Sequence, residues 1–153
     1  SLFDKTRLSL RYTKDIRGVS VAGVLKNVYA LAIGVADALG LGDNSKGVLM
    51  TVAVEEMDVL IIRLGGTKKT MLSLAGLGDL EATGNSDHSH NRSLGKKLVL
   101  RKNTSLDSEG ARSLPLLLKR LDHKNIPPLL SAIKQIVINK KAPRELLERI
   151  IAK

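Results

Sequence analysis

The chain has no cysteine and no tryptophan, one phenylalanine and two tyrosines among its 153 residues. Without cysteine there are neither disulfides nor thiolate metal sites, which agrees with a cytoplasmic location. An aromatic content of 2% leaves Phe3, Tyr12 and Tyr29 as the whole supply of stacking platforms. That is little for a module that would read single-stranded nucleic acid. Long apolar runs are also missing. Val28 to Ile33 is among the longest, well short of the roughly 20 residues that cross a bilayer, so no membrane span is expected. The opening Ser1-Leu2-Phe3-Asp4 does not begin a signal peptide.

What is present is a soluble, globular composition. At 43% hydrophobic residues the chain can bury a real core, and its length fits one domain. Lys and Arg outnumber Asp and Glu by 25 to 15, a formal charge of +10. Such an excess serves nucleic acid, an anionic small molecule or a solvated face. The basic residues are scattered in pairs, Lys68-Lys69, Lys96-Lys97 and Lys140-Lys141, with acids between them. With the dearth of aromatics, this speaks against a nucleic-acid partner.

Glycine and proline divide the chain into helices. Leu8 to Tyr12 alternates apolar and polar residues and is expected to be a short extended segment ahead of Asp15. From Gly18 to Leu39 apolar residues fall almost all round a helix, with Ala22, Gly23, Ala30, Gly34 and Ala36 among them. That pattern predicts a central helix closely approached by others. Gly40-Leu41-Gly42 ends it, Asp43 or Asn44 is placed to cap the next, and Lys46 to Leu64 has helical spacing up to a stop at Gly65-Gly66. A short helical turn follows from Thr67 to Leu74. Gly76-Leu77-Gly78 is expected to form a tight loop delivering Asp79 to another helix start. Ser86 to Ser89 is a polar loop, and further helices are expected over Asn91 to Leu100, Leu106 to Leu121, Ile126-Pro127-Pro128 to Asn139, and from Ala142-Pro143 onward. The expected fold class is all-α, with six to eight helices.

Two segments carry most of the chemistry: GVLKNVYALAIGVADALGLGDN from Gly23 to Asn44, and LAGLGDLEATGNSDHSHNR from Leu74 to Arg92. They resemble the blocks GALKN, GIADGLGLGDN, GLAGLGDL and SRNR of NAD(P)-dependent glycerol-3-phosphate dehydrogenases. The resemblance continues in order along the chain. Asp15 to Val19 is similar to the D--GVE block, Glu56-Met57 to the EM of the second helix, Ser108 to Arg112 to AEGVRT, Ile126-Pro127 to MPI, and Ala142 to Leu146 to SPREAL. It implies the all-helical fold of the C-terminal domains of 6-phosphogluconate dehydrogenase-like enzymes, and a homodimer.

The resemblance also implies roles. Lys26, in LKN, corresponds to the proton donor and acceptor for the carbonyl oxygen of dihydroxyacetone phosphate, a task suited to an ammonium group. Its neighbours Val24, Leu25, Val28 and Ala30 would desolvate it in part. Read from the residues alone, the same lysine equally snorkels from a buried helix to water. Asn27 has two open readings, the substrate or another helix. Asp79 corresponds to the aspartate that holds the lysine and the substrate hydroxyl, and is also placed to cap a helix. Thr83, four residues on, shares its helix face and corresponds to a threonine that can reach the substrate. Ser89-His90-Asn91-Arg92 corresponds to SRNR, which implies Ser89, His90 and Asn91 at the substrate, and His90 and Arg92 at the cofactor together with Glu109.

There are departures. His90 stands where the family has arginine, which holds the substrate phosphate as a bidentate, permanently charged donor; phosphate recognition would then need a protonated His90 or a substitute in Arg92. Ser20 replaces a glutamate, Val52 an arginine, Gly84 a cysteine and Asp107 an apolar residue. His88 and His90 lack a convincing third ligand, so no metal is expected.

A dinucleotide needs a strand, a glycine-rich turn and a helix N-terminus for its pyrophosphate. The two Gly-Leu-Gly motifs lie between helices instead. The expectation is therefore that NAD or NADP is held mainly by an N-terminal Rossmann domain outside this sequence. The chain would be the substrate half of a dehydrogenase that interconverts dihydroxyacetone phosphate and sn-glycerol 3-phosphate, and inactive alone. The alternative is a non-catalytic helical module for dimerisation or phosphometabolite binding.

Overall fold

A computed structural model describes residue 3 and residues 5–100, 105–122 and 125–152. Ser1, Leu2 and Asp4, part of the signal-peptide reading, lie outside them. The described residues form eight α-helices and one π-helical turn: α1 (Ile16–Ala38), α2 (Asp43–Arg63), α3 (Lys68–Met71), the π turn (Leu74–Gly78), α4 (Asp79–Asn85), α5 (His90–Val99), α6 (Glu109–Arg120), α7 (Pro128–Val137) and α8 (Pro143–Ile151). The all-α expectation is met. The exception is Leu8 to Tyr12, which is exposed, irregular chain. Its alternation has no second strand among the described residues to take up its backbone hydrogen bonds, so a period of two produces no sheet here.

Helix α1 is the axis of the fold. It is buried along nearly its whole length and packs most extensively on α5, then on α6, α4 and α2. Taken whole, its 23 residues are long and apolar enough to cross a membrane, which counting uninterrupted runs does not reveal. However, 67% of its most apolar stretch is buried inside the fold. That apolarity is used in packing.

Small residues on α1 set how near its neighbours come. A Cβ added at Gly34 would lie 1.9 Å from the Arg92 carbonyl oxygen. On the facing helices, one at Gly95 would lie 2.2 Å from the Leu31 carbonyl oxygen, and one at Gly110 2.2 Å from that of Asn27. Backbone therefore meets backbone between α1 and both α5 and α6, and any side chain at these glycines would wedge them apart. Gly84 belongs to the same pattern. A Cβ there would meet Met50 Cε at 3.0 Å, the tip of a flexible side chain.

The helix ends are fixed by residues distant in sequence. Asp15 caps α1 by accepting from Gly18 N–H at 2.9 Å, and its second oxygen accepts from Thr67 N–H at 2.8 Å and from the hydroxyls of Thr67 and Thr70. It thus ties the start of α1 to the turn between α2 and α3. These donors, the Thr70 hydroxyl foremost, hold its carboxyl well below the usual carboxylate range. Glu56, 7% exposed, does the same for α7. It accepts from Leu129 N–H at 2.6 Å, Leu130 N–H at 2.9 Å and the Tyr29 hydroxyl at 2.7 Å. Burial nevertheless raises its pKa above the ordinary value, with those donors opposing.

Several boundaries differ from the sequence reading for physical reasons. Helix α2 begins at Asp43 itself after Gly42, with no side-chain cap, and Asp43 pairs with Lys46 at 2.8 Å instead of capping. Helix α6 starts three residues later than expected because Ser108 takes the cap position and accepts from Ala111 N–H. Gly76-Leu77-Gly78 is a π-helical turn running straight into α4. The Ser73 carbonyl accepts from both Gly76 and Gly78 N–H at 3.2 Å, and a Cβ at Gly76 would strike the Met71 carbonyl oxygen at 2.3 Å. Gly40 and Gly65 end α1 and α2 with φ of 67° and 89°, left-handed values that glycine adopts without strain.

Two outcomes are expected. In urea unfolding, Gly34→Ala should lose about 1–3 kcal/mol, whereas Gly23→Ala, on the same helix with open space around its Cβ position, should gain up to about 1 kcal/mol from helix propensity. Because the folded pKa of Asp15 lies below its unfolded value of about 3.9, its stabilisation is complete above that pH and fades as pH falls toward the folded value. The stability gap between wild type and Asp15→Asn, read from melts at pH 6 and pH 3, should therefore narrow at the lower pH.

Candidate functional site

Lys26 lies midway along α1, and its ammonium meets Asp79 Oδ1, on the first residue of α4, at 2.7 Å. The π turn brings about this meeting: it carries the chain from α3 directly into α4 and sets Asp79 beside α1. Their side chains are 20% and 40% exposed, so the lysine is partly desolvated while its tip remains accessible. A pair this open adds only about 0–1 kcal/mol to stability. Its consequence is orientation, since the carboxylate fixes where the ammonium points.

Lys26 lines an open cavity of about 810 Å³. The other walls are Asn27 from α1, Thr83 from α4, Ser86, His88 and Ser89 from the following loop, His90 and Asn91 from α5, and Glu109, Arg112 and Ser113 from α6. Hydroxyls, amides and cations thus surround an opening large enough for a small phosphorylated molecule. His88 and His90 have no third ligand grouped with them as a metal site among the described residues.

A chain of buried amides holds the cavity floor. Gly110 N–H donates to Asn91 Oδ1 at 2.8 Å, Asn91 Nδ2 donates to Asn27 Oδ1 at 2.9 Å, and Asn27 Nδ2 donates to Glu109 Oε2 at 3.0 Å and to the Gly23 carbonyl at 3.1 Å. Asn27 and Asn91 are only 7% and 6% exposed. Of the two readings open for Asn27, its amide goes to other helices. Asn91 is likewise engaged in joining α5 to α1 and α6, and Glu109 is fixed at the rim by Asn27.

Of the residues expected at the site, two do not line the cavity: Asp79, which pairs with Lys26 at 2.7 Å without reaching the wall itself, and Arg92. Thr83, Ser89, His90 and Glu109 share the cavity with Lys26, although the Ser89 hydroxyl also caps α5 by accepting from Arg92 N–H at 3.2 Å. Arg92 does not line it. Its Nε donates to Asp37 Oδ2 at 2.6 Å, and its Nη1 to Asp87 Oδ1 at 2.7 Å and the Asn85 carbonyl at 3.0 Å. Lys46 and Lys96 also approach Asp37, at 3.5 and 3.7 Å. Arg92 is committed to clamping the 85–89 loop against α1. Arg112, Ser113 and Ser86 were not singled out from sequence; Arg112 and Ser113 lie three and four residues after Glu109, so one helix face carries all three.

A family model described as the NAD-dependent glycerol-3-phosphate dehydrogenase C-terminus matches residues 15–148. The chain belongs to that family. It is 34% identical over 162 residues to glycerol-3-phosphate dehydrogenase [NAD(P)+] 1 of Salinibacter ruber, covering 99% of this chain and 47% of that protein. It is 39% identical over 143 residues to the Deinococcus radiodurans glycerol-3-phosphate dehydrogenase [NAD(P)+], covering 90% and 44%. Among solved structures, glycerol-3-phosphate dehydrogenase from Coxiella burnetii superposes with a TM-score of 0.80 at 27% identity, over 97% of this chain and 48% of that one. A Dunaliella salina structure shares the fold, with a TM-score of 0.78 at 20% identity. The chain thus spans about half the length of the curated relatives it matches.

As a member of this C-terminal family, the chain owes its cavity floor to the amide relay. Asn91→Ala should strand Gly110 N–H and one side of Asn27, costing about 1–3 kcal/mol for each buried group left unpaired. Asn91→Asp keeps the acceptor for Gly110 but sets a buried carboxylate oxygen against Asn27 Oδ1, so it should cost at least as much. Urea denaturation of the two variants beside wild type measures the difference.

Proposed function

We propose that this chain is the substrate-binding and proton-transfer half of an NAD(P)-dependent glycerol-3-phosphate dehydrogenase. The observation that carries the reading is the Lys26 ammonium at 2.7 Å from Asp79 on the wall of a cavity lined by Thr83, His90 and Glu109. The names and extent of the family relatives support it. The proposed reaction interconverts dihydroxyacetone phosphate and sn-glycerol 3-phosphate. As the carbonyl carbon gains hydride, its oxygen takes on negative charge, and Lys26 donates a proton to it; in the reverse direction the neutral amine accepts the hydroxyl proton. Asp79 keeps the ammonium aimed and is placed to accept from the substrate hydroxyl, holding the carbonyl in a reactive orientation.

NAD(P)H, when bound, supplies the hydride. The donor set suits one edge of such a group: Glu109 and His90 at the rim offer a fixed carboxylate and an imidazole to hydroxyl or amide functions. The described residues are helical and provide no strand and glycine-rich turn for a pyrophosphate. In this reading a Rossmann domain holds most of the cofactor, and two copies of the whole protein form a homodimer.

The test has two arms. Titration of the chain with sn-glycerol 3-phosphate, followed by amide NMR, should shift signals at Lys26, Asp79 and Ser89 to Arg92. Joined to a cofactor-binding half, the protein should oxidise NADH with dihydroxyacetone phosphate, and Lys26→Ala should slow turnover at least about 100-fold, the low end for loss of a general acid. Specific binding without turnover in the joined protein would instead favour a non-catalytic phosphometabolite module.

A further inference from the structure

The arginine that the family resemblance expects at position 90 is a histidine, and the structure removes one of the two ways in which that loss could be made good. Arg92 cannot stand in: its guanidinium is held by Asp37, Asp87 and the Asn85 carbonyl, away from the cavity. A second histidine, His88, does line the same cavity, as does Arg112. Both imidazoles are exposed.

The fixed charges leave the cavity without a positive surplus. Lys26 is matched by Asp79 at 2.7 Å. Glu109, on α6, is the carboxylate on the cavity wall and offsets Arg112, which itself pairs with Asp107 at 3.0 Å. Asp87, beside His88, is taken by Arg92 at 2.7 Å and approached by Lys96 at 3.9 Å. Lys26, Glu109 and Arg112 are the charged residues that line the cavity together with the two imidazoles. With both imidazoles neutral, an incoming phosphate dianion finds fixed cations already compensated. Each proton taken up by an imidazole adds one uncompensated positive charge and converts the ring from one N–H donor to two.

We propose that His88 and His90 form a proton-gated subsite for the phosphate group of the substrate, tight when the imidazoles are charged and weak when they are neutral. The gate follows protonation of the imidazoles, whereas an arginine at position 90 would bind phosphate at every pH. The inference rests on the reading that this cavity takes a phosphorylated substrate.

The test must separate protein titration from ligand titration, because a phosphate monoester itself gains charge on passing pH of about 6. Inorganic sulfate stays a dianion throughout and serves as the reference probe. At constant ionic strength, sulfate affinity for the chain should fall roughly tenfold or more between pH 6 and pH 8, following loss of imidazolium charge. The imidazole C–H signals of His88 and His90 should titrate at higher pH when sulfate is present. His88→Gln and His90→Gln should each flatten part of the profile, and together remove it. His90→Arg should restore binding at pH 8 and reduce the pH dependence. A flat sulfate profile in wild type, or one unchanged in the double glutamine variant, overturns the gate. If sn-glycerol 3-phosphate then still shifts Lys26 and Asp79, the proposed function stands without it. If sulfate binding follows the imidazoles but the sugar phosphate leaves Lys26 and Asp79 unmoved, the gate stands and the substrate reading fails. Binding of neither probe at any pH defeats both.

Discussion

The closeness with which α5 and α6 approach α1 governs the rest of this structure. Where Gly34, Gly95 and Gly110 permit backbone contact, the residues beside them are carried into reach of one another. Asn91 follows Arg92's neighbour contact with Gly34 into the amide relay, and Glu109 sits next to Gly110 at the other end of it. A helix pair held at the usual 8–10 Å by larger side chains would leave these amides too far apart to bond. The polar floor of the cavity is thus a product of apolar geometry.

Around that floor the charged groups divide into two systems with little in common. One is the Lys26 and Asp79 pair, whose lysine lines the cavity. The other is the set around Asp37, where Arg92, Lys46 and Lys96 converge on a carboxylate that is only 12% exposed. The first borders the cavity. The second shapes the loop that carries His88 and Ser89, so that the cavity's far wall depends on an ion-pair network outside it. A change at Asp37 would be felt at the site without touching any ligand.

The fold was legible to the extent that it follows local rules. The small residues of α1, the glycine stops at Gly40 and Gly65 and the proline at the start of α8 all announce themselves in a single sequence. The pairing of Lys26 with Asp79, 53 residues apart, came from the family resemblance rather than from spacing. What stayed hidden depends on partners that no local pattern names. Arg92 looked like a ligand-binding arginine because nothing in its neighbourhood points to Asp37. The π turn looked like a loop because two glycines around a leucine suit both, and only the Ser73 carbonyl decides between them. Leu8 to Tyr12 had the rhythm of a strand and nothing to pair with. Arg112 stood three residues from Glu109 in plain view, but a shared helix face becomes a shared cavity only once α6 is packed on α1.

Glu56 has a bearing on how the chain is assembled. Pro127 and Pro128 bring no N–H to the start of α7, and the first two amides that need an acceptor, Leu129 and Leu130, find it on α2. Helix α7 therefore borrows its cap from an element more than seventy residues earlier, and its first turn is complete only when the two lie together. Those two amide hydrogens are internal reporters. Their exchange with solvent tracks separation of the C-terminal helices from the central ones, an opening that the Lys26 cavity, on other elements, need not share.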